Sequence, residues 1–145
     1  MKKNNKGFTL IELLVVIVII GVLATLATVA LSSAREKARD ARRVSDVKQI
    51  MTALELYYSD AGSYPTTIAT NSPIAYSGVT YMAKVPGNPT PTTDCATSAN
   101  AVDYYRYITG SGSAPATYTL TYCLKGSTGQ IAAGVNTASQ SGITQ

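Results

Sequence analysis

Two hydrophobic patterns follow one another along this chain. From Leu13 to Leu31, 19 consecutive residues carry no charge. As a helix they cover roughly 28 Å, close to a bilayer core of about 30 Å. Beyond them the pattern turns amphipathic: Val44, Val47, Met51, Leu54 and Tyr58 recur at spacings of 3 and 4, with Ile50 and Tyr57 widening the stripe. Neither proline nor glycine occurs between Val22 and Ala61, so nothing breaks the helix until Asp60-Ala61-Gly62 supplies a stop. One continuous helix is therefore expected; from Phe8 to Tyr58 its 51 residues would span about 76 Å. A rod that is lipid-soluble in one half and amphipathic in the other is odd for a monomer. The uninterrupted apolar first half argues against a soluble coiled coil.

After Gly62 the pattern shortens. Residues 66–100 are rich in Thr, Pro, Ser and Asn and read as a long connecting loop. Tyr104 to Thr109 and Tyr118 to Leu124 are aromatic and β-branched runs flanked by glycines, which predicts strands. Gly126-Ser127-Thr128-Gly129 reads as a turn into a third strand, about Gln130 to Thr137. The expected fold class is α+β: a long N-terminal helix whose amphipathic half packs on a small antiparallel sheet.

Charge sharpens the first pattern. Formal net charge is +4, but without Lys2, Lys3 and Lys6 nine basic side chains face eight acidic ones. The basic excess thus belongs largely to the first six residues, a membrane-facing start with the N-terminus on the cytoplasmic side. A cleavable secretory signal with Ser32-Ser33-Ala34 as its cutting site is the competing reading. The apolar run exceeds the usual core of about 7–15 residues, and the helical pattern continues through the supposed site.

The basic run Arg35, Lys37, Arg39, Arg42 and Arg43 invites a nucleic-acid partner, yet Glu36, Asp40 and Asp46 interleave with it. A solvated or inter-subunit ion-pair face is the expectation, with Arg42–Asp46 and Glu36–Arg39 as pairs; nucleic acid is not expected as a partner. The chain has no histidine, which excludes Ser-His-Asp and Cys-His sites and the HExxH zinc helix. Asp94 and Asp103 are the only acids after Asp60, too sparse for a calcium cage, and Gly110-Ser111-Gly112-Ser113 lacks the lysine of a phosphate loop. No catalytic residue, metal or cofactor is expected. Two cysteines, Cys95 and Cys123, are too few for a four-thiolate zinc site. In an extracytoplasmic half they suit a disulfide across a 28-residue separation, worth roughly 3–4 kcal/mol, with free thiols the alternative. Ten tyrosines against one phenylalanine suit either a sheet with one wet face or inter-subunit and adhesive contacts.

Glu12 stands out within the apolar run that starts at Phe8. A carboxylate at membrane depth costs about 2.5–3.5 kcal/mol unless it is partnered or neutralised. Hydration among the headgroups is one explanation; a dedicated partner is the other.

Lys6-Gly7-Phe8-Thr9-Leu10-Ile11-Glu12-Leu13-Leu14-Val15-Val16 resembles the prepilin signature of type IV pilins and type II secretion pseudopilins. Tyr57-Tyr58-Ser59-Asp60-Ala61-Gly62-Ser63-Tyr64-Pro65-Thr66 extends the likeness to the helix–head junction of that family. The resemblance implies a pilin-like fold with residues 1–7 as leader, 8–60 as helix and 61–145 as a β-rich head. Residues 10–31 would form the membrane span and filament core, and 32–60 the amphipathic half. It further implies that a prepilin peptidase cuts between Gly7 and Phe8 and methylates the Phe8 amine, and that Glu12 of one subunit neutralises the amine of its neighbour during filament assembly. The implied partners are further copies of the chain in a helical filament, the peptidase, the cytoplasmic membrane before assembly, and the inner-membrane assembly platform with its ATPase. Family members often carry a proline where this chain has Val29, and Gly21 is the residue able to weaken the rod. The acidic calcium loop of major secretion pseudopilins is absent, which favours a pilus subunit. A periplasmic pseudopilin is the nearest alternative, and a membrane-tethered adhesin or DNA-uptake receptor the alternative of another class.

Overall fold

The computed structural model describes residues 7–91 and 105–144. Helix α1 runs from Leu10 to Ala61 without a break at Gly21 or Val29. It belongs to two compact units, Met1–Arg35 and Glu36–Gln145. In the first unit every described residue is exposed, with Phe8 90% and Leu10 81% accessible. Only a lipid or protein environment would satisfy so apolar a surface. Two threonines in the span hide their hydroxyls: Thr25 donates to Val22 O and Thr28 to Thr25 O, each at 2.8 Å. Such bonds back to the helix's own carbonyls leave no free hydroxyl to desolvate. α1 is long and apolar enough to cross a membrane.

At the other end the helix stops where the sequence predicts. Gly62 takes φ +70° and donates its N–H to Tyr58 O at 2.8 Å, the left-handed cap that glycine adopts without a side-chain penalty.

In the second unit, Val44, Val47, Ile50, Ala53 and Leu54 of α1 form one half of the core. The other half comes mainly from an antiparallel sheet ordered β3-β4-β5-β6, comprising β3 (Arg106–Thr109), β4 (Tyr118–Leu124), β5 (Gly134–Ser139) and β6 (Gly142–Thr144). β4 supplies Tyr118, Leu120, Tyr122 and Leu124, and β5 supplies Ala138. The α+β, pilin-like fold class is as the sequence implies.

Details of the head differ from the sequence reading. Within the expected loop lies a hairpin of β1 (Ile74–Tyr76) and β2 (Val79–Met82). Its turn residues Ser77 and Gly78 both have positive φ, 47° and 85°, the geometry that matches strand twist in two-residue hairpins. The third strand of the main sheet begins at Gly134 rather than Gln130. Thr128 and Ile131 exchange backbone hydrogen bonds of 2.9 and 3.1 Å, closing a tight turn that uses up those residues. A fourth strand, β6, returns through Gln140-Ser141.

The largest difference concerns charge. Asp40 and Arg43, expected on a solvated face, are each 1% exposed. Arg43 Nη1 donates to Asp40 Oδ1 at 2.6 Å, and Arg43 Nε donates to Asn88 Oδ1 at 2.8 Å. The same carboxylate accepts the backbone N–H groups of Lys125 (3.1 Å) and Gly126 (2.8 Å), just past the end of β4. Of the expected surface pairs, Arg42–Asp46 forms at 3.7 Å, while Glu36 reaches Lys125 at 3.3 Å.

The tyrosines are not a wet sheet face either. Tyr64, Tyr105, Tyr118 and Tyr122 are buried. The hydroxyls of Tyr64, Tyr81 and Tyr105 donate to carboxylates of α1, namely Glu55 (3.0 Å), Asp60 (2.5 Å) and Asp46 (2.9 Å). Each ring thereby fills core volume while its polar tip fastens head to helix. Burial and the neighbouring Glu55 push the Tyr64 hydroxyl up to about 12, and the Asp60 hydrogen bond does the same for Tyr81. Burial first, then Asp46, raises Tyr105 further. A phenol whose folded pKa exceeds its unfolded value of about 10 adds stability that is complete below pH 10 and drains away as pH climbs through the folded value. The head is therefore expected to lose stability between pH 10 and about 12, which thermal melts of the solubilised chain at stepped pH will show.

One buried hydroxyl, that of Tyr122, has no hydrogen-bond partner among the described residues. Removing it discards only a desolvated polar group, so Tyr122→Phe should leave stability unchanged or raise it by about 1 kcal/mol, measured by denaturant unfolding.

Candidate functional site

The prepilin-like residues lie where the chain enters α1. Gly7, Phe8 and Thr9 are non-helical and exposed, and among the described residues a side chain added at Gly7 would meet nothing within 4 Å. A bond in open backbone can be drawn into a protease cleft; a helical one must first unwind. Immediately downstream, Glu12 occupies the first helical turn.

Glu12 has a partner within its own chain. Thr9 donates both its backbone N–H (2.8 Å) and its hydroxyl (2.6 Å) to Glu12 Oε2, and Glu12 N–H lies 3.3 Å from Thr9 Oγ1. This is a reciprocal capping box, which satisfies donors otherwise orphaned at a helix start. Thr9 is the participant that sequence reasoning passed over, although Thr-x-x-Glu ahead of an apolar run signals it. The box survives a cut between Gly7 and Phe8 because both partners lie downstream of that bond. It employs one carboxylate oxygen heavily and leaves Oε1 to a further donor.

Elsewhere, Cys123 is buried in β4, whereas Cys95 lies outside the described residues, as do Lys2, Lys3, Lys6, Asp94 and Asp103. Among the described residues no group of three or more His, Cys, Asp or Glu side chains is placed to hold a metal.

Comparisons with known proteins bear on this N-terminus and on the chain behind it. The family described as "Prokaryotic N-terminal methylation motif" matches residues 2–28. Type II secretion system core protein G of Aeromonas hydrophila is 36% identical over 99 residues, covering 61% of this chain and 69% of that protein. The chain belongs to the type IV pilin and pseudopilin family. The core protein G of Dickeya chrysanthemi is 45% identical over 67 residues, 46% of this chain and 44% of its own length. That of Escherichia coli K12 is 40% identical over 95 residues, 58% of this chain and 66% of its own length. No solved structure matches significantly. Within the family, the expectation of a pilus subunit gives way to the alternative: the relatives named here are secretion proteins, and their similarity extends well beyond the length of the N-terminal motif. One missing acidic loop weighs less than 99 aligned residues.

Proposed function

We propose that this chain is a non-enzymatic pseudopilin, a structural subunit that a type II secretion machine assembles into a short periplasmic filament. The observation that carries the reading is the similarity to core protein G over 69% of that protein's length. The exposed apolar half of α1 supports the rest. Before assembly it anchors the chain in the cytoplasmic membrane; afterwards it packs among its copies as the filament core.

The order of events is the one the family resemblance implies, and electrostatics supplies a reason for it. A prepilin peptidase cuts between Gly7 and Phe8, discarding the three leader lysines and creating an α-amino group on Phe8, which it methylates. That cation and the Glu12 carboxylate are each costly in hydrocarbon and neutralise one another between neighbouring subunits. The assembly platform and its ATPase would supply the motion that extracts subunits. A Cys95–Cys123 bridge would staple the loop before β3 to β4.

Intact-mass measurement of the native chain tests processing: it should begin at Phe8, carry one added methyl group and be two hydrogens lighter than the dithiol. A chain beginning at Met1 or near Arg35 would end this reading. Electron microscopy assigns the filament: short fibres seen on overexpression fit a pseudopilin, whereas long surface fibres built of this chain at native levels make it a pilus subunit.

A further inference from the structure

The basic run after the apolar segment is less blunted than its sequence suggests. Asp40 and Asp46, which interleave with it, are 1% and 8% exposed and face the head. Asp40 is held by Arg43 and two backbone N–H groups, and Asp46 Oδ2 accepts from Tyr105. Glu36 lies 3.3 Å from Lys125. The carboxylates that would neutralise the run are thus turned inward or occupied. Arg35 and Lys37 remain exposed, and the Arg42 side chain is 65% accessible despite its 3.7 Å approach to Asp46.

Position decides what these cations meet. Arg35, Lys37 and Arg42 follow Leu31 by 4, 6 and 11 residues in one helix. Counted along α1 at about 1.5 Å per residue, those separations are a helical rise of roughly 6, 9 and 16 Å. Headgroups occupy about the first 5–8 Å outside the hydrocarbon, and their potential extends a further Debye length of about 8 Å. Long basic side chains also reach back toward that layer.

We propose that Arg35, Lys37 and Arg42 form a collar that binds the anionic phosphates of phospholipid headgroups on the head's side of the membrane. This deepens the membrane-anchored reading above and rests on it. A collar needs no common helix face, because headgroups surround the helix. It fixes how deep the waiting subunit sits, and assembly must break these contacts to withdraw it. A second copy of the chain fits less well: among the described residues, Glu36, Asp40, Asp46, Glu55 and Asp60 already hold partners within their own chain.

The test uses the full processed chain in phosphatidylcholine vesicles containing a minority of phosphatidylglycerol, with a spin-labelled version of each lipid as probe. Labelled phosphatidylglycerol should be enriched around the protein about fivefold over labelled phosphatidylcholine. The preference should fall below about twofold in the Arg35→Gln/Lys37→Gln/Arg42→Gln protein, and likewise for the parent in about 0.5 M salt. A Lys48→Gln/Lys84→Gln/Arg106→Gln protein, with the same charge loss elsewhere, should retain it. No preference in the parent, or an equal drop in both variants, overturns the collar. So does binding of labelled duplex DNA by the solubilised parent that only the first variant loses, with lipid preference intact. Alkaline carbonate separates the two levels. Extraction of the parent would defeat the membrane anchor itself, whereas retention without lipid preference defeats only the collar.

Discussion

Glu12→Ala protein is expected to enter the membrane and be cut after Gly7, yet to yield roughly a hundredfold to a thousandfold less filament. Two opposite unit charges about 4 Å apart attract by about 4 kcal/mol at an effective dielectric near 20, and that is the term the variant removes between neighbours. The capping box supplies a competing account, because Thr9 donates twice to the same carboxylate. If Glu12 served only to start its own helix, alanine would cost about 1 kcal/mol of local stability and no charge pairing would be lost. Two further variants divide these roles. Glu12→Gln retains a side-chain oxygen for the cap, since glutamine serves at this position as well as glutamate, but carries no charge. Thr9→Val removes the hydroxyl of the box and leaves the carboxylate. Charge pairing predicts that Glu12→Gln assembles nearly as poorly as Glu12→Ala while Thr9→Val assembles well. Filament yields after shearing, normalised to membrane-inserted and processed protein, decide between them; the reverse ranking makes the local cap the reason for the glutamate.

Periodicity made the helix legible. A stripe at spacings of 3 and 4 and a glycine at the stop determine α1 almost residue for residue, because both signals are local. β4 was equally plain, since Tyr118 to Leu124 is a dense run of aromatic and β-branched residues. The β1–β2 hairpin was hidden by its short strands of three and four residues amid Thr, Pro, Ser and Asn; Ser77-Gly78 between Tyr76 and Val79 was its one local sign. β5 was misplaced because Gly129-Gln130, not the glycines alone, forms the tight turn. At the candidate site, Gly7, Phe8 and Glu12 stand out in the sequence because a carboxylate in an apolar run is conspicuous. Thr9 does not, since a threonine there is unremarkable until its hydroxyl is seen on Glu12. Burial of Asp40 was out of reach, because its partners Lys125 and Gly126 lie 85 and 86 residues away. Charges spaced along a helix look solvated until a distant backbone arrives to use one.

That distant contact carries the second large effect. Asp40→Ala should destabilise the head by about 3–5 kcal/mol, the cost of breaking a buried ion pair by removing one of its members. Arg43, 1% exposed, would keep its guanidinium inside without the carboxylate that lies 2.6 Å away. The N–H groups of Lys125 and Gly126 would lose their acceptor as well, and each unsatisfied donor adds about 1–3 kcal/mol where water cannot reach it. Against a stability of about 5–15 kcal/mol for a small domain, such a loss leaves a head that is partly unfolded at growth temperature. Asp40→Asn is the informative companion. Its amide oxygen still accepts one backbone N–H, but it lacks the charge opposite Arg43, so it should fall between parent and alanine. Pairing Asp40→Leu with Arg43→Met removes both charges and should recover part of the loss, because a buried pair is dear to break and cheap to replace with apolar volume. The backbone N–H groups of Lys125 and Gly126 would still lose Asp40, and Asn88 Oδ1 would lose Arg43 Nε, so the recovery should be incomplete. Denaturant unfolding of the solubilised chain gives the ranking, and an Asp40→Ala head as stable as the parent would show that this carboxylate is solvated after all.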